Sequence, residues 1–149
     1  MVNPNAESNP QPDGVLNNHA CTLKEAHDLF HPRGQVLIIE DDSDVSGLLA
    51  DVIRDNGFAC ETAHDGREAL DQVMACEPRL ILLDLRMPRM DGWQFVQQLK
   101  RRFPAQQPAV VLVSAHPDLN QAARALDATT YLQKPFAVDD VLKLAERYC

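Results

Sequence analysis

Short, almost wholly apolar runs alternate along this chain with longer stretches in which apolar residues recur every three or four positions. Residues 36–39, 80–83 and 110–113 are the purest runs. They are too short for helices and rich in Val, Ile and Leu, so each predicts a buried strand. Residues 58–63 and 131–133 predict two further strands, the first less apolar and placed at a sheet edge. Between the first two strands, Val45, Leu48, Leu49, Val52 and Ile53 fall on one helical stripe expected to face inward, with Gly57 where a C-terminal cap belongs. Further helices are predicted over 67–76 (opening after Asp65-Gly66), 91–103 (with Trp93, Val96 and Leu99 inward), 118–128 and 138–148. Strict alternation of strand and helix implies parallel pairing through right-handed crossovers. The expected class is α/β, a doubly wound parallel sheet of five strands with five helices.

Polar residues stand directly after the apolar runs. Glu40-Asp41-Asp42 follow the first, Asp84 the second, Ser114 the third, and Lys134-Pro135 follow Tyr131-Leu132-Gln133. In an open parallel sheet the carboxyl ends of the strands border one crevice, where such folds bind ligands. Acids, a hydroxyl and a lysine meeting there point to a divalent metal and a transferred phosphoryl group. A helix N-terminus also favours negative charge, which accounts for Ser43 or Asp44 but not for Asp84 or Lys134.

Residues 1–34 break the alternation. The first 18 hold five Asn and three Pro with little apolar periodicity, and read as disordered. Thr22 to Glu25 has capping-box spacing, and Leu23, Ala26 and Phe30 share a helical face, so a short helix is expected near 22–30. Pro32 and Gly34 then separate this extension from a folded unit at 35–149.

Charge narrows the partners. The 149-residue chain carries a formal net charge of −8, which disfavours nucleic acid and anionic membranes. Lys100-Arg101-Arg102 reads as the solvated end of a helix. Four cysteines without a C-x-x-C pair read as reduced thiols. With no stretch of 18 apolar residues and no signal peptide, a soluble cytoplasmic protein is expected.

Residues 35–148 resemble the receiver domain of two-component response regulators. The resemblance rests on the acid pair after the first strand, on Leu83-Asp84-Leu85-Arg86-Met87-Pro88 through Met90-Asp91-Gly92, on Ser114-Ala115, and on Lys134-Pro135-Phe136. It implies a flavodoxin-like, chemotaxis-regulator-like fold with strand order 2-1-3-4-5. It further implies that Asp84 is the phosphoacceptor, assisted by Lys134 and Ser114. Mg²⁺ would be bound by Asp41, Asp84 and the backbone carbonyl of Arg86, with Glu40 acting through water. The metal pair could also be registered one place later, at Asp41-Asp42; Glu40-Asp41 is preferred because four apolar residues then precede it, as they precede Asp84. Ser114 and Tyr131 match the family's switch pair, and the family places a cis bond before Pro135. Asp127 stands where the family usually has Gly, and Arg86 and His116 flank the site.

The expected protein is a stand-alone response regulator, because the chain ends with the receiver's last helix. It is not an enzyme beyond Mg²⁺-dependent self-phosphorylation and autodephosphorylation. Its partners would be a sensor histidine kinase or histidine phosphotransfer protein and an unknown downstream protein, with the receiver itself a monomer or weak homodimer. The rival readings are a phosphorelay shuttle and a receiver-like module that binds without phosphorylation. His27 and His31 have helical metal-ligand spacing but lack specified further ligands. A haloacid-dehalogenase-type phosphatase wants a second acid where Arg86 stands, and no P-loop or dinucleotide fingerprint is present.

Overall fold

The computed structural model describes residues 34–149. The expected tail, its short helix near 22–30 and the His27/His31 pair lie outside the described residues.

In chain order the elements are β1 (Gln35–Ile39), α1 (Ser43–Asp55), β2 (Ala59–Ala63), α2 (Gly66–Cys76), β3 (Leu80–Leu83), α3 (Gly92–Arg102), β4 (Ala109–Ser114), α4 (Leu119–Leu126), β5 (Thr130–Gln133) and α5 (Val138–Tyr148). All strands pair in parallel, in the order β2-β1-β3-β4-β5. This is the doubly wound, flavodoxin-like sheet expected from the sequence.

Side chains alternate across a pleated strand, and here the alternation divides the core in two. Leu37, Ile39, Ile81, Leu83 and Leu112 face α2, α3 and α4. Val36, Ile38, Leu80, Leu82, Val111 and Val113 face α1 and α5. Because helices cover both faces, β1, β3 and β4 are apolar between their ends, which is why residues 36–39, 80–83 and 109–113 are unbroken runs.

Two helix faces differ from expectation. In α1 the buried residues are Ser46, Leu49, Ala50 and Ile53, whereas Leu48 is 61% exposed. The packed face is turned by roughly a quarter turn from the stripe of large apolar residues. Small side chains at 46 and 50 let the helix lie close to the sheet, and Leu48 is left outside. In α3 the buried anchors are Phe95, Val96 and Leu99, while Trp93 is only partly buried against them.

Asp42, Asp65 and Asp91 cap α1, α2 and α3 by accepting backbone amides, and Asp91 forms a capping box with Gln94. Gly57 follows α1 with φ 89°, as its place in the sequence required. Cys60, Cys76 and Cys149 are free thiols, and burial pushes the Cys60 thiol up to about 12. Among the described residues no helix is long and apolar enough to cross a membrane.

Candidate functional site

The chain leaves β1 toward β2 on one side and returns to β3 on the other, so the carboxyl ends of β1 and β3 flank a topological switch point. Both strand ends are fixed by one more ladder bond. The Glu40 amide donates to the Ala63 carbonyl and the Asp84 amide to the Ile39 carbonyl, each at 3.0 Å. On the far side of β4, the Lys134 amide donates to the Ser114 carbonyl at 3.0 Å. The peptide between Lys134 and Pro135 is cis.

From these anchored backbones three charged side chains converge. Lys134 Nζ lies 2.6 Å from Glu40 Oε2 and 3.1 Å from Asp84 Oδ2. Asp84 Oδ1 accepts the Arg86 amide at 3.1 Å. Glu40 Oε1 accepts the Asp42 amide at 3.3 Å. Glu40 and Asp84 are buried, and Asp41 stands exposed at the rim. Carboxylate oxygens of Glu40, Asp41 and Asp84 all lie within 4.8 Å of one another.

Such crowding is electrostatically costly, and burial adds to it at Glu40 and Lys134. Burial lifts the Glu40 carboxyl above its ordinary value; the Lys134 hydrogen bond pulls it back, and the Asp84 charge adds to the lift. Burial also works against the Lys134 charge, but its hydrogen bonds to Glu40 and Asp84 outweigh that and raise it. Three carboxylates against one ammonium leave two negative charges unmatched. An all-oxygen donor set with that deficit fits a hard divalent cation such as Mg²⁺.

The remaining residues named from the sequence are distributed around this centre. Ser114 is buried, and its Oγ accepts the His116 amide at 3.3 Å. Tyr131 pairs with Leu112 across β4–β5 and is 40% exposed. Arg86 and His116 line a shallow cleft of about 580 Å³ together with Asp41, Met87 and Trp93. Asp127 ends α4 in the left-handed conformation, at φ 53°. Asp42, the alternative member of the acid pair, is occupied as the α1 cap: its Oδ1 accepts the Asp44 and Val45 amides.

Gly92 sits where the loop after Asp84 folds back on itself. A Cβ there would lie 2.6 Å from the Asp84 carbonyl oxygen and 2.8 Å from the Leu85 Cα. One contact had no sequence signal: Arg89 pairs with Asp65, 24 residues earlier. A larger hollow, about 660 Å³, lies at the opposite end of the sheet between α3, β4 and Tyr148. Its Lys100 already donates to the Leu126 carbonyl, and it gathers no acids comparable to those at the carboxyl edge.

Residues 36–146 match the family model of the response regulator receiver domain. The chain is 37% identical over 117 residues to the DNA-binding transcriptional regulator NtrC of Escherichia coli (strain K12), covering 77% of this chain and 24% of that protein. It is 34% identical over 110 residues to the response regulator MprA of Mycobacterium avium (strain 104), covering 72% of this chain and 47% of that one. It thus spans about a quarter of the length of NtrC and about half that of MprA. Among solved structures, the chemotaxis response regulator CheY4 of Vibrio cholerae superposes with a TM-score of 0.70 at 29% identity, covering 78% of this chain and 98% of that one.

Proposed function

The chain belongs to the response regulator receiver family, and from that premise we propose that Asp84 accepts a phosphoryl group from a sensor histidine kinase or histidine phosphotransfer protein, and that the phosphorylated form signals through contacts with another protein. The observation that carries this reading is the placement of Asp84 between two further carboxylates and one ammonium, with two negative charges unmatched.

A carboxylate oxygen of Asp84 attacks phosphorus, the phosphorus–nitrogen bond of the donor breaks, its electron pair returns to the imidazole, and an acyl phosphate forms. The chain's task is positioning and charge neutralisation rather than activation. Lys134 is already on Asp84 Oδ2 and would follow the charge onto a phosphoryl oxygen, as a point charge on a flexible stem can. Ser114 accepts a bond from His116 but keeps its own hydroxyl proton, which it would donate to the phosphoryl group. Asp41, Asp84 and the Arg86 carbonyl would hold Mg²⁺, with Glu40 acting through water, and the ion would supply two positive charges beside the transferring group. Movement of Ser114 toward the phosphoryl group would free space for Tyr131 to turn inward from its exposed position. In this reading residues 35–149 are the signalling unit, residues 1–34 an extension, and the cytoplasm the compartment.

Acetyl phosphate with Mg²⁺ tests it directly. The expected product is an alkali-labile adduct on the wild type, seen by intact mass and lost in Asp84→Asn. A wild type that stays unmodified by acetyl phosphate and by a cognate kinase would leave only a phosphorylation-independent binding module.

A further inference from the structure

The loop from Leu85 to Asp91 carries Arg86, whose amide bonds Asp84 and whose carbonyl would hold Mg²⁺ in the reading above. Its near side is tied to the site: the Arg86 amide donates to Asp84 Oδ1 at 3.1 Å, and the Gly92 amide to the Leu85 carbonyl at 3.1 Å. Its far side reaches the start of α2. There the Gly66 amide donates to the Met90 carbonyl at 3.2 Å, and Arg89 Nε and Nη2 both donate to Asp65 Oδ2, at 2.7 and 2.6 Å. Asp65 is buried, and its other oxygen caps α2 by accepting the Arg67 and Glu68 amides at 2.8 and 2.9 Å.

Two features make this pair more than a surface contact. Arg89 sits at φ 65°, a left-handed conformation that a long side chain rarely holds without compensating interactions. The α2 cap needs only Oδ1 of Asp65, so the second oxygen is left for Arg89 alone. The Glu68 amide, then the Arg89 guanidinium and the Arg67 amide, hold the Asp65 carboxyl below its ordinary value against the effect of burial. The Arg67 and Glu68 amides orient the carboxylate from α2 itself, independently of the loop. Arg89 itself is largely exposed, so its removal takes little from the core.

We propose that the Arg89–Asp65 pair is a latch that positions the Leu85–Asp91 loop, and through it the Arg86 backbone at the phosphoacceptor; the functional half of this proposal rests on the reading of Asp84 given above. Arg89 is a positioning residue, acting on Asp84 only through the loop.

The test uses the full chain without any phosphodonor. Mg²⁺ titration is followed by amide chemical shifts, and hydrogen exchange is measured in the metal-free protein. Arg89→Ala is expected to bind Mg²⁺ about tenfold more weakly, the low end of the range for an outer partner of a metal ligand. The Arg86 and Gly92 amides should exchange about tenfold faster, while the Leu82 and Val111 amides stay unchanged. Asp65→Asn keeps a capping side chain and should reproduce both effects, Arg89→Lys should restore part of them, and the double variant should be no weaker than either single one. Unchanged exchange in Arg89→Ala overturns the latch, because the Met90–Gly66 contact then holds the loop by itself. Faster exchange with unchanged Mg²⁺ affinity overturns its role at the site. A wild type with no Mg²⁺-dependent shifts would instead sink the reading of the site, and the exchange measurement would still decide the latch.

Discussion

Replacing Asp84 by Asn should make the metal-free protein more stable. At the 4.8 Å that bounds the carboxylate cluster, a like-charge pair costs ~3.5 kcal/mol at an effective dielectric near 20, and Asp84 faces two such partners. The Lys134 ammonium at 3.1 Å returns ~5 kcal/mol on the same scale. Repulsion therefore exceeds attraction, and screening at the exposed Asp41 trims the excess to about 1 kcal/mol. Asn keeps an oxygen for the Arg86 amide and leaves Lys134 its 2.6 Å bond to Glu40, so little else is lost. In EDTA, urea denaturation read by the fluorescence of Trp93, the chain's single tryptophan, should show Asp84→Asn ahead by about 1 kcal/mol, or some 3–6 °C in Tm. Added Mg²⁺ should reverse the order: at ten times its Kd it stabilises the wild type by about 1.4 kcal/mol and the variant by much less. An Asn variant less stable in EDTA, or equal stabilisation of both proteins by Mg²⁺, would refute the charge argument.

Other perturbations follow the same geometry. The Glu40 carboxyl is raised in the folded state, so folding there takes up protons, and stability falls as pH rises from the ordinary carboxylate range through the raised value. Lys134→Met removes the strongest influence holding Glu40 down, so its stability deficit in EDTA should be clearly larger at pH 7.5 than at pH 5, measured by denaturation at both. Gly92→Ala drives a methyl into the Asp84 carbonyl and Leu85 backbone and should cost about 1–3 kcal/mol with slower acetyl phosphate labelling. Gly66→Ala, whose Cβ would lie 2.6–2.9 Å from Met90 Cγ, Sδ and Cβ, should cost a similar amount. Asp42→Ala should lose about 1 kcal/mol of helix capping while leaving Mg²⁺ affinity unchanged in calorimetry, whereas Asp41→Ala should weaken it.

What could be read from the chain was whatever depends on strands buried on both faces. Glu40, Asp84 and Ser114 stood out as the first polar residues after their apolar runs; Lys134 follows the half-exposed β5, which already ends in Gln133, and was legible through Lys134-Pro135-Phe136. Helix faces were less legible. The large residues of α1 outline a stripe, but the sheet accepts the helix through Ser46 and Ala50, and small residues give periodicity analysis little weight to count. Phe95 lay one residue from Val96 and was missed because the stripe was drawn through Trp93, which is only partly buried. The left-handed Glu77 and Arg89 and the Arg89–Asp65 contact depend on where two loops meet in space, which no local pattern encodes. Asp42 was ambiguous because three consecutive acids allow two registers of the pair, with Glu40-Asp41 preferred; its role as the α1 cap emerged only from the structure.

The bond between Lys134 and Glu40 joins residues 94 positions apart. An unfinished polypeptide emerging from the ribosome can display the aspartate long before the ammonium has been synthesised. The cluster of Glu40, Asp84 and Lys134 is therefore complete only once the last strand has docked, and a half-formed copy lacks its balancing cation.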